Sequence, residues 1–127
     1  MDNEGINMLM VEYEENVNLV AKINTELCKR YGLENYLTEF SSNLIRALNQ
    51  YKRFVLLMNN KKEFVSGLLS FSNSCISFFE ENKDEGKTDH DAIVEKMNDL
   101  VKTMNHINDL INNNFKESVK EYIEWNI

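Results

Sequence analysis

Apolar side chains recur at steps of three and four residues along most of the chain, and this spacing constrains the fold more than any other feature. Such steps place side chains on one face of an α-helix, which turns once every ~3.6 residues. The 127 residues include no proline and only four glycines, the two residue types that most often interrupt helices. We therefore predict a small number of long amphipathic helices.

Three segments carry this spacing and define the predicted helices, over about residues 6–31, 35–81 and 89–124. The apolar stripe of the first consists of Met10, Tyr13, Val17, Val20, Asn24, Leu27 and Tyr31. The stripe of the second consists of Leu37, Phe40, Leu44, Ala47, Tyr51, Phe54, Met58, Lys61, Val65, Leu68, Ser72, Cys75 and Phe79, with Lys61 and Ser72 as polar members. That of the third begins Ile93, Met97, Leu100, Met104, Ile107, Ile111. We expect one all-α domain over residues 1–127, an antiparallel bundle of three helices.

The second predicted helix is unusually long. About 45 residues would span roughly 70 Å, far more than an ordinary globular helix. We predict that it is continuous; a break near Asn59-Asn60 or at Gly67 is the alternative and would give four helices. Its apolar face is too wide for one partner helix to cover, since Ile45, Leu48 and Phe64 extend it. This width predicts packing against several helices, or self-association as a homodimer.

The charge of the chain is unevenly distributed. The net charge is −7, which argues against general nucleic-acid binding, so no nucleic-acid partner is expected. Between Phe40 and Phe79, however, Glu63 is the only acidic residue, and this stretch carries +4 while the rest carries −11. An acidic partner or an anionic membrane would therefore have to meet the middle of the chain.

The cysteines and the absence of long apolar runs indicate a cytoplasmic protein. Cys28 and Cys75 lie in helical patterns rather than in a dense disulfide framework, so we expect buried free thiols. The first residues do not resemble a signal peptide, and no uncharged apolar run approaches the ~18 residues of a membrane span. We predict a protein that is either soluble or attached peripherally to a membrane.

The sequence offers no convincing catalytic, metal or cofactor site. Asp89-His90-Asp91 is the best metal candidate, but the other histidine, His106, lies over four turns further along the same predicted helix, too far to share an ion. Neither cysteine has metal-ligand spacing or marks of an activated nucleophile, and no glycine-rich phosphate loop is present. We therefore predict a non-enzymatic protein without a cofactor.

Five basic residues form the candidate binding site: Arg46, Lys52, Arg53, Lys61 and Lys62. All but Lys61 avoid the apolar register of the second helix, so they either form an ordinary solvated face or contact anionic lipid or an acidic partner. Near an anionic surface, each would contribute about 1 kcal/mol.

Several runs resemble the BAR domains of Arf and Rho GTPase-activating proteins. Residues 44–51 (LIRALNQY) and 63–71 (EFVSGLLSF) resemble the first long BAR helix, residues 97–105 (MNDLVKTMN) the opening of the second, and residues 115–123 (FKESVKEYI) a later part of the domain. The resemblance implies an antiparallel dimer whose curved, basic surface binds anionic membranes. It departs from the BAR pattern in having an additional N-terminal helix and in reaching only the second of three long helices.

Two functions follow as hypotheses. The first is a BAR-like helical dimer that contacts anionic membranes through the five basic residues. The alternative is a helical protein–protein interaction module, such as an adaptor or a host-factor antagonist, that binds its partner through an apolar groove.

Overall fold

The protein is an all-α antiparallel bundle, as predicted. A computed structural model describes the backbone of residues 3–31, 36–81 and 90–125, and side chains within 5–29, 39–81 and 91–116. The described residues form four α-helices and one short 3₁₀ helix, without a β-strand. The α-helices are α1 (Asn3–Tyr31), α2 (Tyr36–Tyr51), α3 (Lys61–Glu81) and α4 (His90–Trp125), and the 3₁₀ helix, η1 (Lys52–Leu57), joins α2 to α3.

The helices alternate in direction. Tyr13 on α1 donates a hydrogen bond to the carbonyl of Leu48 near the end of α2. Phe40 near the start of α2 meets Phe78 near the end of α3 in an edge-on contact, with ring centroids 5.8 Å apart. Each of these pairs joins the early part of one helix to the late part of the next. Neighbouring helices along the chain therefore run antiparallel.

The last helix follows the same rule. Lys96 near the start of α4 forms an ion pair with Glu81 at the end of α3, and Asn114 far along α4 binds the backbone of Asn59 just before α3. Between these two contacts α4 therefore runs antiparallel to α3. Within the described part of the chain, α1 packs mainly on α3 and α2, whereas the main contact of α4 is with α3.

The predicted apolar stripes form the core. On α1, Tyr13, Val17, Val20 and Leu27 are buried. On α4, Ile93, Leu100 and Ile107 are buried one heptad apart, and Met97, Met104 and Ile111, each four residues further along, are half-buried. From Leu44 through Phe79 the stripe of α2 and α3 is buried except at Phe54, which is exposed, and Lys61, which is half-buried. Leu37 lies outside the described side chains.

The prediction of one continuous helix over residues 35–81 is wrong. α2 ends at Tyr51, η1 follows, and Met58 is extended, with φ −84° and ψ 141°, before α3 begins at Lys61. The alternative break near Asn59-Asn60 is confirmed, whereas Gly67 lies inside α3. The turn allows the apolar faces of α2 and α3 to bury against each other and against α1 within one chain, which a straight helix of that length could not achieve.

Candidate functional site

The turn between α2 and α3 gathers most of the predicted basic residues at one end of the bundle. We call this region the hinge end: η1, residues 58–60 and the first two residues of α3. Lys52 and Arg53 open η1, and Lys61 and Lys62 open α3. Arg53 and Lys62 are exposed, and Lys52 and Lys61 are half-buried. Arg46 is exposed on α2, nearly two turns before η1, and lies outside this group.

The positions of Lys61 and Lys62 are electrostatically unfavourable for the helix that they begin. The first turn of a helix presents unpaired N–H groups and carries a partial positive charge, which favours acidic residues there. In α3 only Glu63 supplies a negative charge in that turn. Two lysine side chains therefore add to the positive potential of the helix N-terminus instead of compensating it.

Large apolar side chains are exposed beside these cations. In η1, Leu56 is 81% exposed and Leu57 is 66% exposed. On α4, Phe115 is 66% exposed and follows Asn114, whose side-chain amide donates to the carbonyl of Leu57 over 2.8 Å. Single exposed leucines are common on protein surfaces, but adjacent ones flanked by cations are typical of interaction sites.

The helical periodicity of the sequence did not predict that Leu56 and Leu57 are exposed beside the cations. The informative signal is the run of five apolar residues at 54–58, which no helix can bury on a single face. The structure resolves this conflict by burying Val55 and Met58 and leaving Phe54, Leu56 and Leu57 at or near the surface.

A second candidate surface is an open groove of about 660 Å³ between α3 and α4. Its lining includes apolar residues of both helices, among them Phe64, Leu68 and Phe71 on α3 and Ile107 and Leu110 on α4. A smaller cavity beside Glu81 and Lys96 shares lining residues with this groove, so the open surface continues along α3. We call the whole feature the α3/α4 groove.

Gly67 makes the middle of the α3/α4 groove wide. A side-chain carbon added at this position would have no neighbour within 4 Å. The groove therefore has room for a side chain from another molecule at this point. Leu110, 42% exposed, supplies apolar surface on the opposite wall.

The buried polar groups belong to the core. Tyr13 is fully buried, and its hydroxyl lies 2.6 Å from the carbonyl oxygen of Leu48. The Ser72 hydroxyl, also fully buried, accepts a hydrogen bond from Asn16 and donates one to the carbonyl of Leu69. These groups have protein partners, and their hydrogen bonds connect α1 with α2 and α3.

The two thiols differ in burial. Cys75 is fully buried, and burial raises its pKa to about 12, which keeps it protonated at neutral pH. Cys28 is half-buried with its Sγ 3.9 Å from the Asn24 amide oxygen. Both are free, as predicted, although Cys28 is less buried than expected.

The metal candidate at Asp89-His90-Asp91 falls partly outside the described residues. Among the side chains that the structure describes, no group of three histidine, cysteine or acidic residues is close enough to hold a metal ion.

None of the described helices has the length and apolar character needed to cross a bilayer. The chain matches no known protein-family model, no curated protein and no solved structure.

Proposed function

We propose that the protein is a non-catalytic helical module that binds anionic membrane surfaces through its hinge end. The observation that carries the proposal is the proximity, around one turn, of four cations and two exposed leucines. Cations attract anionic headgroups, whereas leucines gain free energy when they leave water. A surface that combines both suits a membrane interface better than it suits water.

The magnitudes support reversible attachment. Each cation contributes about 1 kcal/mol near an anionic surface, and full burial of each leucine contributes about 1.5–3 kcal/mol. Opposing these terms, the chain as a whole carries −7. Attraction therefore requires that the protein approach with its hinge end first, and it should weaken as salt screens the cations.

Vesicle co-sedimentation tests this proposal. Wild-type protein should sediment with vesicles that contain phosphatidylserine but not with pure phosphatidylcholine, and less protein should bind at high salt. The double variant Lys61→Gln/Lys62→Gln should bind about thirtyfold more weakly, which corresponds to about 1 kcal/mol for each lost cation.

A control with the same change of charge is available on α1. Lys22 and Lys29 are exposed and lie far along α1, away from the hinge end where this helix begins. Lys22→Gln/Lys29→Gln should leave vesicle binding almost unchanged. If wild-type protein does not bind anionic vesicles at low salt, or if both pairs weaken binding equally, the proposal is wrong.

The resemblance to BAR domains adds a homodimer to the proposal. A straight, shared long helix is not part of this chain as folded here, because the turn at residues 52–60 interrupts it. A dimer would therefore have to form either by docking of two bundles or by opening of that turn. The solution molar mass tests dimerisation independently of membrane binding.

The α3/α4 groove supports a second candidate function, the binding of an amphipathic helix from a protein partner. The observation that supports this function is the open space above Gly67, which would admit an apolar side chain of such a helix. Peptides selected from an amphipathic library should lose affinity for Gly67→Leu, in which a leucine side chain occupies that space. Gly67→Ala is the smaller control, and undiminished binding to Gly67→Leu would exclude this site.

A further inference from the structure

The turn at the hinge end is not imposed by its local sequence. Residues 52–60 contain neither glycine nor proline. The apolar register also passes through the turn without a shift, since Tyr51, Phe54, Met58 and Val65 remain at helical spacing. Asn59 and Asn60 lower helix propensity only modestly. The same residues could therefore continue as one helix from α2 into α3.

The turn leaves apolar surface unpaired. Leu56 and Leu57 are mostly exposed, and Phe54, which belongs to the apolar stripe, is 36% exposed. Its neighbours in the stripe, Tyr51 and Met58, are buried. The folded chain thus covers the stripe on both sides of the turn but leaves part of it open at the turn itself.

Contacts with α4 hold the turn. The Asn114 side chain accepts a hydrogen bond from the backbone N–H of Asn59 over 3.0 Å and donates one to the carbonyl of Leu57 over 2.8 Å. In a continuous helix these two backbone groups would instead bond within the helix. The turn is therefore stabilised by tertiary contacts that compete with local helix formation.

We propose that two copies of this chain exchange their α3–α4 halves by straightening the turn. α2, η1 and α3 then form one helix over residues 36–81, and two such helices run antiparallel. α2 of one copy packs on α3 of the other, so the contacts of the closed bundle are formed again between chains. The two straightened hinges meet at the centre of the dimer, where the stripe residues at the turn gain a partner.

Cross-linking of mixed chains tests the exchange. Asn16 on α1 and Asn73 on α3 are in contact, with amide nitrogen and oxygen 2.9 Å apart. One chain receives Asn16→Cys and the other Asn73→Cys, both in a Cys28→Ser/Cys75→Ala background. The two full-length chains are refolded together at high concentration and treated with a short bifunctional thiol reagent.

The exchanged dimer should give a covalent product that contains one copy of each chain. A dimer without this product has formed by docking of two closed bundles and overturns the exchange, while leaving dimerisation intact. A monomer at every concentration overturns both. Membrane binding by the closed bundle is measured separately, in the vesicle assay.

Variants of the turn provide a second measurement. Asn59→Ala/Asn60→Ala favours a helix through the hinge and should raise the dimer association constant about tenfold or more. Asn114→Ala removes the contacts that hold the turn and should shift the equilibrium in the same direction. Asn112→Ala, at an exposed position of the same helix, is the control and should leave the equilibrium unchanged. The proposal is contradicted if neither Asn59→Ala/Asn60→Ala nor Asn114→Ala changes the dimer fraction.

Discussion

Replacement of Tyr13 by phenylalanine should reveal how much one buried hydrogen bond stabilises the bundle. Tyr13 has no exposed surface, and its hydroxyl donates to the Leu48 carbonyl over 2.6 Å. Tyr13→Phe keeps the ring and leaves a buried carbonyl oxygen without this donor. An unsatisfied buried polar group costs about 1–3 kcal/mol. We expect the free energy of unfolding to fall by about 1–2 kcal/mol. The loss is limited to this range because the phenylalanine ring keeps the packing of the tyrosine ring and only the hydroxyl is removed.

Tyr51 provides the internal comparison. It is also buried, but its hydroxyl lies 3.4 Å from the Met104 carbonyl oxygen, a long distance for a hydrogen bond between these groups. Tyr51→Phe should therefore cost less than Tyr13→Phe, about 0.5 kcal/mol. Urea unfolding followed by circular dichroism at low protein concentration measures both. For a chain of 127 residues, each 1 kcal/mol corresponds to about 4 °C in Tm. Equal or reversed losses would refute the assignment of hydrogen-bond strength from these distances.

Three further predictions follow from burial and helix position. Gly67→Ala should stabilise the protein by about 0.5–1 kcal/mol in thermal melts, because the added methyl group meets nothing within 4 Å and alanine favours the interior of α3. Iodoacetamide should label Cys28 well before Cys75, as mass spectrometry of partly labelled protein would show; equal rates would contradict the burial of Cys75. Stability should be full below pH ~9 and fall as pH rises further, because the unfolded chain loses the Cys75 proton near its ordinary pKa of 9.0 while burial raises the folded pKa to about 12. Burial also raises the pKa of Tyr13, which adds to the loss of stability at high pH. Urea unfolding should therefore give a smaller free energy of unfolding at pH 10 than at pH 8.

The helical core could be predicted from the sequence because it depends on a short-range property. Residues three and four apart share a helix face wherever the helix lies, so Val17, Val20 and Leu27 could be assigned to the core without knowledge of their partners. Leu100 and Ile107 on α4 follow in the same way. The end of α1 at Tyr31 and the start of α4 close to residue 89 were also predicted to within a residue.

The turn between α2 and α3 could be predicted only as an alternative, because its cause lies elsewhere in the chain. Helical spacing continues through residues 52–60, and the contacts that hold the turn come from Asn114, more than fifty residues away. Local sequence gave only a weak signal, the pair Asn59-Asn60. The exposure of Leu56 and Leu57 follows from the turn, so this part of the candidate site was missed, although its four cations had been identified.

The α3/α4 groove was beyond prediction for a related reason. Its width depends on how far α4 lies from α3, and that distance is set by which side chains separate the two helices. On α3, Gly67 contributes no side chain to the contact, and the nearby Phe64 and Leu68, which line the floor of the groove, are almost fully buried. A glycine inside a helical pattern weakens the helix unless packing or function requires it. The packing of the described residues does not require Gly67, since the space above it is open.

Membrane binding and exchange between copies, both proposed here for the hinge end, would oppose each other. In the closed bundle Leu56 and Leu57 face solvent and are free to enter a bilayer. In the exchanged dimer the same segment becomes part of a continuous helix at the dimer centre, where apolar side chains gain protein contacts instead. A membrane that holds the leucines of the closed form therefore stabilises the turn, by the linkage that favours whichever state binds a ligand more tightly. Conversely, straightening the turn separates the leucines from the arrangement of cations that the closed form presents. The conformation of residues 52–60 would thus determine the binding partner: the turn favours a lipid surface, and the continuous helix favours a second copy of the chain.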